Sequence, residues 1–581
     1  MNRNSYMQNL NKAYSTQKMN LLLALLCGLS LCLSTTLSWA CGGLFCNPAQ
    51  PVNQSAERIL FAPDPTDQNR IQMHVQIQYA GPPANFSWML PVPPDTDFAL
   101  STELLFSRLD QQYTPIFRLN RQFAEGCPAL DFAGQAENAV PTTARDGGSE
   151  PQVQVLSREI VGPYDKVVLT ADTVGVLTEW LTENGYQVPD RAEEVLSPYL
   201  ADFAFIAIRL TPSEGVDSIK PIALTLSSPA PSIPIIPTSV AAQPDMGILV
   251  HLLGESRAVS TNYAHVQINE AVIDWQNNAQ NYSDVVSQAI DEAGGQAFVT
   301  DFAGTHNLGE TPFTALNNGQ LMQIEQAQNL KQAIEAGVHL LTGHVDYGKP
   351  ILDHGVITLE QWTEAAECWN FVNGVRVDPD FGSYEVPPPS EEEAAECQAV
   401  LNNEDLDFDG QAVAMALSEV VAIYDNLNTL FAAHPYLTRL YSTLSAEEMT
   451  TDPSFSYNGD LEDVDRLRQA TLLQDCDGGD LELQLSNGHI IDLRNTEGPE
   501  TIERQEGETV RGMGEIAAQI IERQMPAGQP DLIEDRTAMI QAVEDDESGC
   551  QSSHQSISTL MILLFIFVMT WGRKKTLLVQ S

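Results

Sequence analysis

Apolar and polar residues alternate cleanly over residues 71–79. Ile71, Met73, Val75, Ile77 and Tyr79 are apolar, and Gln72, His74, Gln76 and Gln78 are polar. A period of two predicts a half-buried strand of an antiparallel sheet, with His74 on its solvated face. Residues 86–93 predict a short strand ended by prolines, and residues 203–210, 222–226 and 247–253 read as further apolar strands. Helical spacing lies between them. Val174, Leu177 and Leu181 share a face behind Asp172 as the expected cap, with Asn184-Gly185 as the stop. Val286, Ala289, Ile290 and Ala293 share another behind Ser283, with Gly294-Gly295 as the exit. Strands and helices intermingle without strict βαβ alternation. The expected class is therefore α+β, with mixed or antiparallel sheets and interspersed helices.

The pattern changes further along. Residues 320–341 and 411–444 are helical in composition, and residues 387–393 between them form a stiff, charged Pro/Glu connector. Residues 481–493 predict a hairpin turning at Ser486-Asn487-Gly488. Residues 134–151 read as a long polar loop. Five regions are expected: a leader over 1–40, an α+β core over 41–315, a helix-rich region over 316–500 ending in the hairpin, an acidic spacer with a short helix over 501–549, and a tail over 550–581.

The two ends set the expected compartment. The first forty residues carry Arg3, Lys12 and Lys18 and no acid, then an apolar run, then small residues before Ala40. That is the layout of a secretory signal peptide cut after Ala40. At the other end Cys550 precedes a polar stretch, an apolar run over residues 557–571, and Arg573-Lys574-Lys575. The run is short for a bilayer span, and the basic cluster marks the cytoplasmic side. The tail resembles bacterial C-terminal sorting signals of the myxobacterial type. That resemblance implies a membrane protease that cuts the tail and Cys550 as a lipid acceptor. The expectation is an exported chain tethered to the cell envelope through its C-terminal end.

Composition supports an external, acidic surface. The chain has 581 residues, with 78 Asp+Glu against 29 Lys+Arg and a net charge of −49. Such a surface repels nucleic acid. Hydrophobic residues are 43% of the chain, too many for a wholly disordered one. Of nine cysteines, Cys27 and Cys32 fall in the leader and Cys550 in the tail. Cys41, Cys46, Cys127, Cys368, Cys397 and Cys476 remain, enough for three disulfides in an oxidising compartment. Cys368 and Cys397 close two near-identical helix-forming stretches, Glu364 to Cys368 and Glu393 to Cys397, and are the favoured pair.

Several segments resemble one family. They are Cys41-Gly42-Gly43-Leu44-Phe45-Cys46; Gln54 through Phe61; Phe86 through Pro93; Leu177 through Leu181 with Asn184-Gly185-Tyr186; Asp291 through Phe298; Thr438-Arg439-Leu440; and Met449 through Phe455. Together they are similar to the secreted bacterial family catalogued as domain of unknown function 2330, over roughly residues 41–495. The resemblance implies export and a sorting tail, and it brings no catalytic residues.

A search for chemistry is sparse. No Gly-x-Ser-x-Gly elbow, His-Glu-x-x-His pair or phosphate-binding glycine loop occurs. His339, His344, Asp346 and His354 cluster in sequence without metal-ligand spacing. Asp405, Asp407 and Asp409 lead into Gly410 as a Ca²⁺ loop begins, but position twelve of such a loop is Ala416 and the bidentate carboxylate is missing. Calcium at these three carboxylates is the one cofactor the chain suggests. The leading expectation is a non-catalytic structural or binding module, its protein or glycan ligand unspecified. A secreted hydrolase is the competing reading, which a buried His–carboxylate pair beside a nucleophile would favour.

Overall fold

The computed structural model describes most of residues 53–540. Residues 81–85, 125–153, 187, 190, 212–218, 229, 311–312, 314–315, 338–367, 370–374, 379–381, 386–389, 402–407, 477–478, 487, 494–500, 504–508 and 512–515 are left out. Ala40, Cys41, Cys46, Cys127, Asp405, Asp407, Cys550, the apolar tail and the 339–354 histidine group therefore lie outside the described residues. Among the described residues no helix is long and apolar enough to cross a membrane.

A ten-stranded mixed sheet organises the chain. Its strands are β1 (Asn53–Pro63), β2 (Ile71–Ala80), β3 (Asp97–Leu100), β4 (Ile222–Leu226), β5 (Ala242–Gly254), β6 (Ala264–Ile268), β7 (Ala297–Thr305), β8 (Tyr436–Leu444), β9 (Ala518–Arg523) and β10 (Asp531–Asp535). Their order across the sheet is β10-β9-β6-β7-β8-β5-β1-β2-β4-β3. β1 runs parallel to β5, and β6 parallel to β7; the other neighbours are antiparallel. The α+β expectation holds.

Both faces of the sheet's central strands are covered, whereas the edge strand β10 is exposed. Along β1, Ile59 and Phe61 pack toward a second sheet made of Ser87–Val92, Ala204–Leu210, Tyr164–Thr170 and Gln154–Val161. Leu60 and Ala62 pack the other way, against helices α1 (Glu103–Tyr113) and α5 (Gly410–Ala433). Period two thus sends successive residues of one strand into two different cores. Helix α2 (Val174–Glu183) covers the outer face of the second sheet. Helix α3 (Tyr282–Glu292) packs with β6, β7 and β9 and with a further sheet that includes Leu467–Gln474 and Asp480–Leu485. The predicted hairpin belongs to that sheet.

The structure corrects several expectations. His74 is not solvated: it is 1% exposed, and its Nδ1 lies 2.7 Å from the Ser101 hydroxyl. Ser101, just ahead of α1, meets His74 on the polar face of β2, and Asn426 of α5 donates to Gln72 at 3.0 Å. Alternation in β2 marks two differently filled interiors, not an inside and an outside. Residues 436–444 are not helix but β8, buried near the middle of the sheet. Pro435 forbids the turn that would continue α5, and the β-branched and aromatic residues beyond it suit a pleated strand. The expected acidic spacer supplies β9 and β10, because Ala518 and Ile521 bury apolar surface beside α3. Strands from both sides of residue 315 share one sheet, so the helix-rich region does not stand apart. Helix α2 is capped by Thr173, which accepts from the Val176 amide, not by Asp172. Asn281 precedes α3 in place of Ser283, whose hydroxyl instead meets Tyr441 at 3.0 Å.

A disulfide joins Cys368 to Cys397, with Cα atoms 4.9 Å apart. Cys476 is also disulfide-bonded. Asp409 caps α5 by accepting from the amides of Gln411 and Ala412, each at 3.0 Å.

Candidate functional site

Charged residues rarely interrupt a buried apolar strand without a partner. Asp301 does so in β7, His251 in β5, Arg439 in β8 and His265 in β6. The sheet gathers them into two polar networks, back to back at one irregularity.

The irregularity is a bulge in β7. Thr300 pairs with Leu440 and Phe302 pairs with Arg439, leaving Asp301 as the extra residue. A bulge re-aims side chains and increases local twist. Thr300 points to the face carrying Phe298, and Asp301 points to the helix face.

On the Thr300 face, His265 holds a hydroxyl and a carboxylate at once. Its Nε2 is 2.9 Å from Thr300 Oγ1, and its Nδ1 is 2.9 Å from Glu522 Oε1. Gln524 donates to the same Glu522 oxygen at 3.0 Å. Arg257 donates to Thr300 Oγ1 at 3.2 Å and to the Glu462 carbonyl at 2.9 Å. One proton arrangement joins Arg257, Thr300, His265 and Glu522, with the Arg257 Nε left unpartnered. Arg257 donates to the threonine oxygen, the threonine hydroxyl donates to Nε2, and Nδ1–H donates to Glu522. Burial, helped by the Arg257 charge and opposed by Glu522, lowers the His265 pKa and favours the neutral ring this arrangement needs. Burial raises the Glu522 pKa, but the hydrogen bond and charge of His265 with those of Gln524 and Arg257 outweigh it, so the net shift is downward. The order hydroxyl–imidazole–carboxylate is that of a nucleophile, its base and the group orienting the base. All four principal members are buried, Thr300 at 4% and Glu522 at 8% exposure.

On the helix face, Arg439 forms an ion pair with Asp301, and Tyr282 of α3 donates to the same carboxylate. Arg439 also reaches the Thr114 hydroxyl at 3.4 Å, just past α1. Burial raises the Asp301 pKa; Arg439 pulls against it, then the Tyr282 hydroxyl and Arg468. Next in the row comes His251, directly opposite Arg439 and 0% exposed. Beyond it Arg58 of β1 pairs with Asp110 of α1 at 3.2 Å and donates to Gln76 of β2 at 3.3 Å. A polar row therefore crosses β2, β1, β5, β8 and β7 between two apolar clusters.

None of these residues was singled out for chemistry from the sequence, although Arg58 and Arg439 lie inside segments that carry the family resemblance. The available signal was a lone charge inside an apolar strand run: His251 within Ile248–Leu253 and Asp301 within Phe298–Ala303. Asp409, the described member of the suggested calcium run, is occupied as a helix cap. Among the described residues no three His, Cys, Asp or Glu side chains gather to hold a metal ion.

No curated protein and no solved structure matches the chain. Residues 36–313, which contain Arg58, His251, His265, Thr300 and Asp301 but neither Arg439 nor Glu522, match the family described as an uncharacterized protein conserved in bacteria (DUF2330).

Proposed function

We propose that the chain is an exported protein of the bacterial cell envelope, tethered to the membrane by its C-terminal tail, whose body is a non-catalytic structural or binding module. The observation that carries this reading is the closure of the His265 network. Thr300, His265 and Glu522 take up one another's hydrogen-bonding groups, and the Gln524–Glu522–His265–Thr300–Arg257 chain fastens β6, β7 and β9. Groups spent on one another serve cohesion. The Cys368–Cys397 disulfide and the bonded Cys476 favour an oxidising compartment. The basic–apolar leader ending at Ala40 and the Cys550 tail supply the route out and the tether, with a sorting protease as the partner at the tail.

Cell fractionation with mass spectrometry of both termini tests this. A membrane-fraction protein beginning at Cys41 and ending near Cys550 is expected. Recovery of an intact Met1 in the cytoplasm would overturn it.

One observation favours a second reading, a hydrolase that acts by acyl transfer. Thr300, His265 and Glu522 stand in the order such chemistry uses. A fluorophosphonate adduct on Thr300, absent from His265→Gln, would replace the module reading with this one.

A further inference from the structure

His251 is the residue whose surroundings the networks above leave unexplained. It lies in the C-terminal part of β5, 0% exposed, and neither ring nitrogen has a hydrogen-bond partner. The nearby Ile59 backbone offers it no bond of acceptable geometry. His74 and His434 each leave one ring nitrogen unpartnered; among the described residues only His251 leaves both. The Nε of Arg439, directly across the strand pair, is buried and unpartnered too. An imidazole that loses its water on both sides costs several kcal/mol unless something replaces that water.

The charges nearby say what kind of group fits. Arg439 and Arg58 flank the ring, and both oppose its protonation. A metal cation would be repelled by the same two guanidiniums. The unmet groups include at least two donors, Arg439 Nε–H and one imidazole N–H, which call for an acceptor. We infer that His251, with Arg439 and Arg58, forms a binding site for one small monovalent anion, of the formate or halide class, taken up together with a proton. The proton follows from charge balance. Arg58 and Arg439 are matched by Asp110 and Asp301, so an added anion is compensated when His251 becomes imidazolium. Tyr282, Thr114 and Gln76, which also face the row, stay neutral, and Arg468, whose charge reaches Asp301, is paired with Glu270.

Formate is the probe. The full chain is melted across a formate series at constant ionic strength, at pH 5.5 and 7.5, alongside His251→Leu and His251→Gln. Wild type is expected to show a saturable rise in Tm that both variants lack. Its apparent Kd should weaken roughly ten-fold per pH unit above the ring's titration. Nitrogen NMR of the imidazole should show His251 gaining a proton as formate binds, a signal that holds even if His251→Leu fails to fold. Equal formate responses in wild type and His251→Gln, or no response at either pH, would mean bound water only and overturn the site.

Discussion

Asp301 meets Arg439 because β7 carries one residue more than β8 between Thr300 and Phe302. The extra residue puts a carboxylate and an aromatic ring on the same side of Arg439. Phe302 then packs at a tilt against Tyr113 of α1 with ring centroids 4.8 Å apart, while Asp301 accepts from Tyr282 of α3. One bulge thus joins two helices to the sheet.

Breaking that pair from one side should be costly. Asp301→Asn leaves the Arg439 charge buried, and we expect a loss of about 3–5 kcal/mol in urea unfolding. Replacing both partners, as Asp301→Leu with Arg439→Met, should restore much of it. A double variant no more stable than Asp301→Asn would contradict this account.

The His265 network should act as a latch for the C-terminal strands. Thr300→Val and His265→Gln each leave a buried partner unmet, at a cost of about 1–3 kcal/mol. Amide exchange should quicken first in β9, where Glu522 sits. Glu292 holds the start of the same strand by accepting from the amides of Ala517 and Ala518 at 2.9 and 3.0 Å. Exchange that accelerates evenly through the sheet would argue against a local latch.

Two buried groups should give opposite pH dependences. Burial lowers the His74 pKa from 6.5 to about 4. The unfolded chain therefore takes up its proton first on acidification, and stability falls as pH drops through that window, by about 3 kcal/mol. Burial raises the Glu57 pKa from 4.5 to about 7, and its Oε2 is unpartnered. Here the folded chain keeps its proton longer, so stability falls as pH rises from 4.5 to about 7. Glu57→Gln mimics the protonated form and should gain about 3 kcal/mol on wild type between pH 4 and pH 8. Parallel stability curves for the two proteins would refute the assignment.

Gly410 should be intolerant for a reason unrelated to calcium. A Cβ there would lie 2.7 Å from the Ala327 carbonyl oxygen and closer still to that of Ile324, at the end of helix α4 (Asn318–Glu325). Gly410→Ala should cost about 1–3 kcal/mol in thermal unfolding by forcing that helix off α5. An unchanged Tm would show that the contact relaxes freely.

Local chemistry alone made much of the chain legible. Alternation identified β2, apolar runs identified β4 and β5, and helical spacing identified α2 and α3, because each pattern repeats within one element. The matching contexts of Cys368 and Cys397 pointed to their pairing. What tertiary structure decided was how distant segments meet. Residues 436–444 look helical by composition, yet they fill the place between β5 and β7. Residues 518–535 look like a spacer, yet they complete the far edge of the same sheet. His74 looks solvated until the fold buries it against Ser101, just ahead of α1. The two polar networks were hidden for the same reason. Hydrophobic periodicity is a property of neighbours in the chain, whereas the partners of Asp301, His265 and His251 are set by strand order and by one unpaired residue in β7.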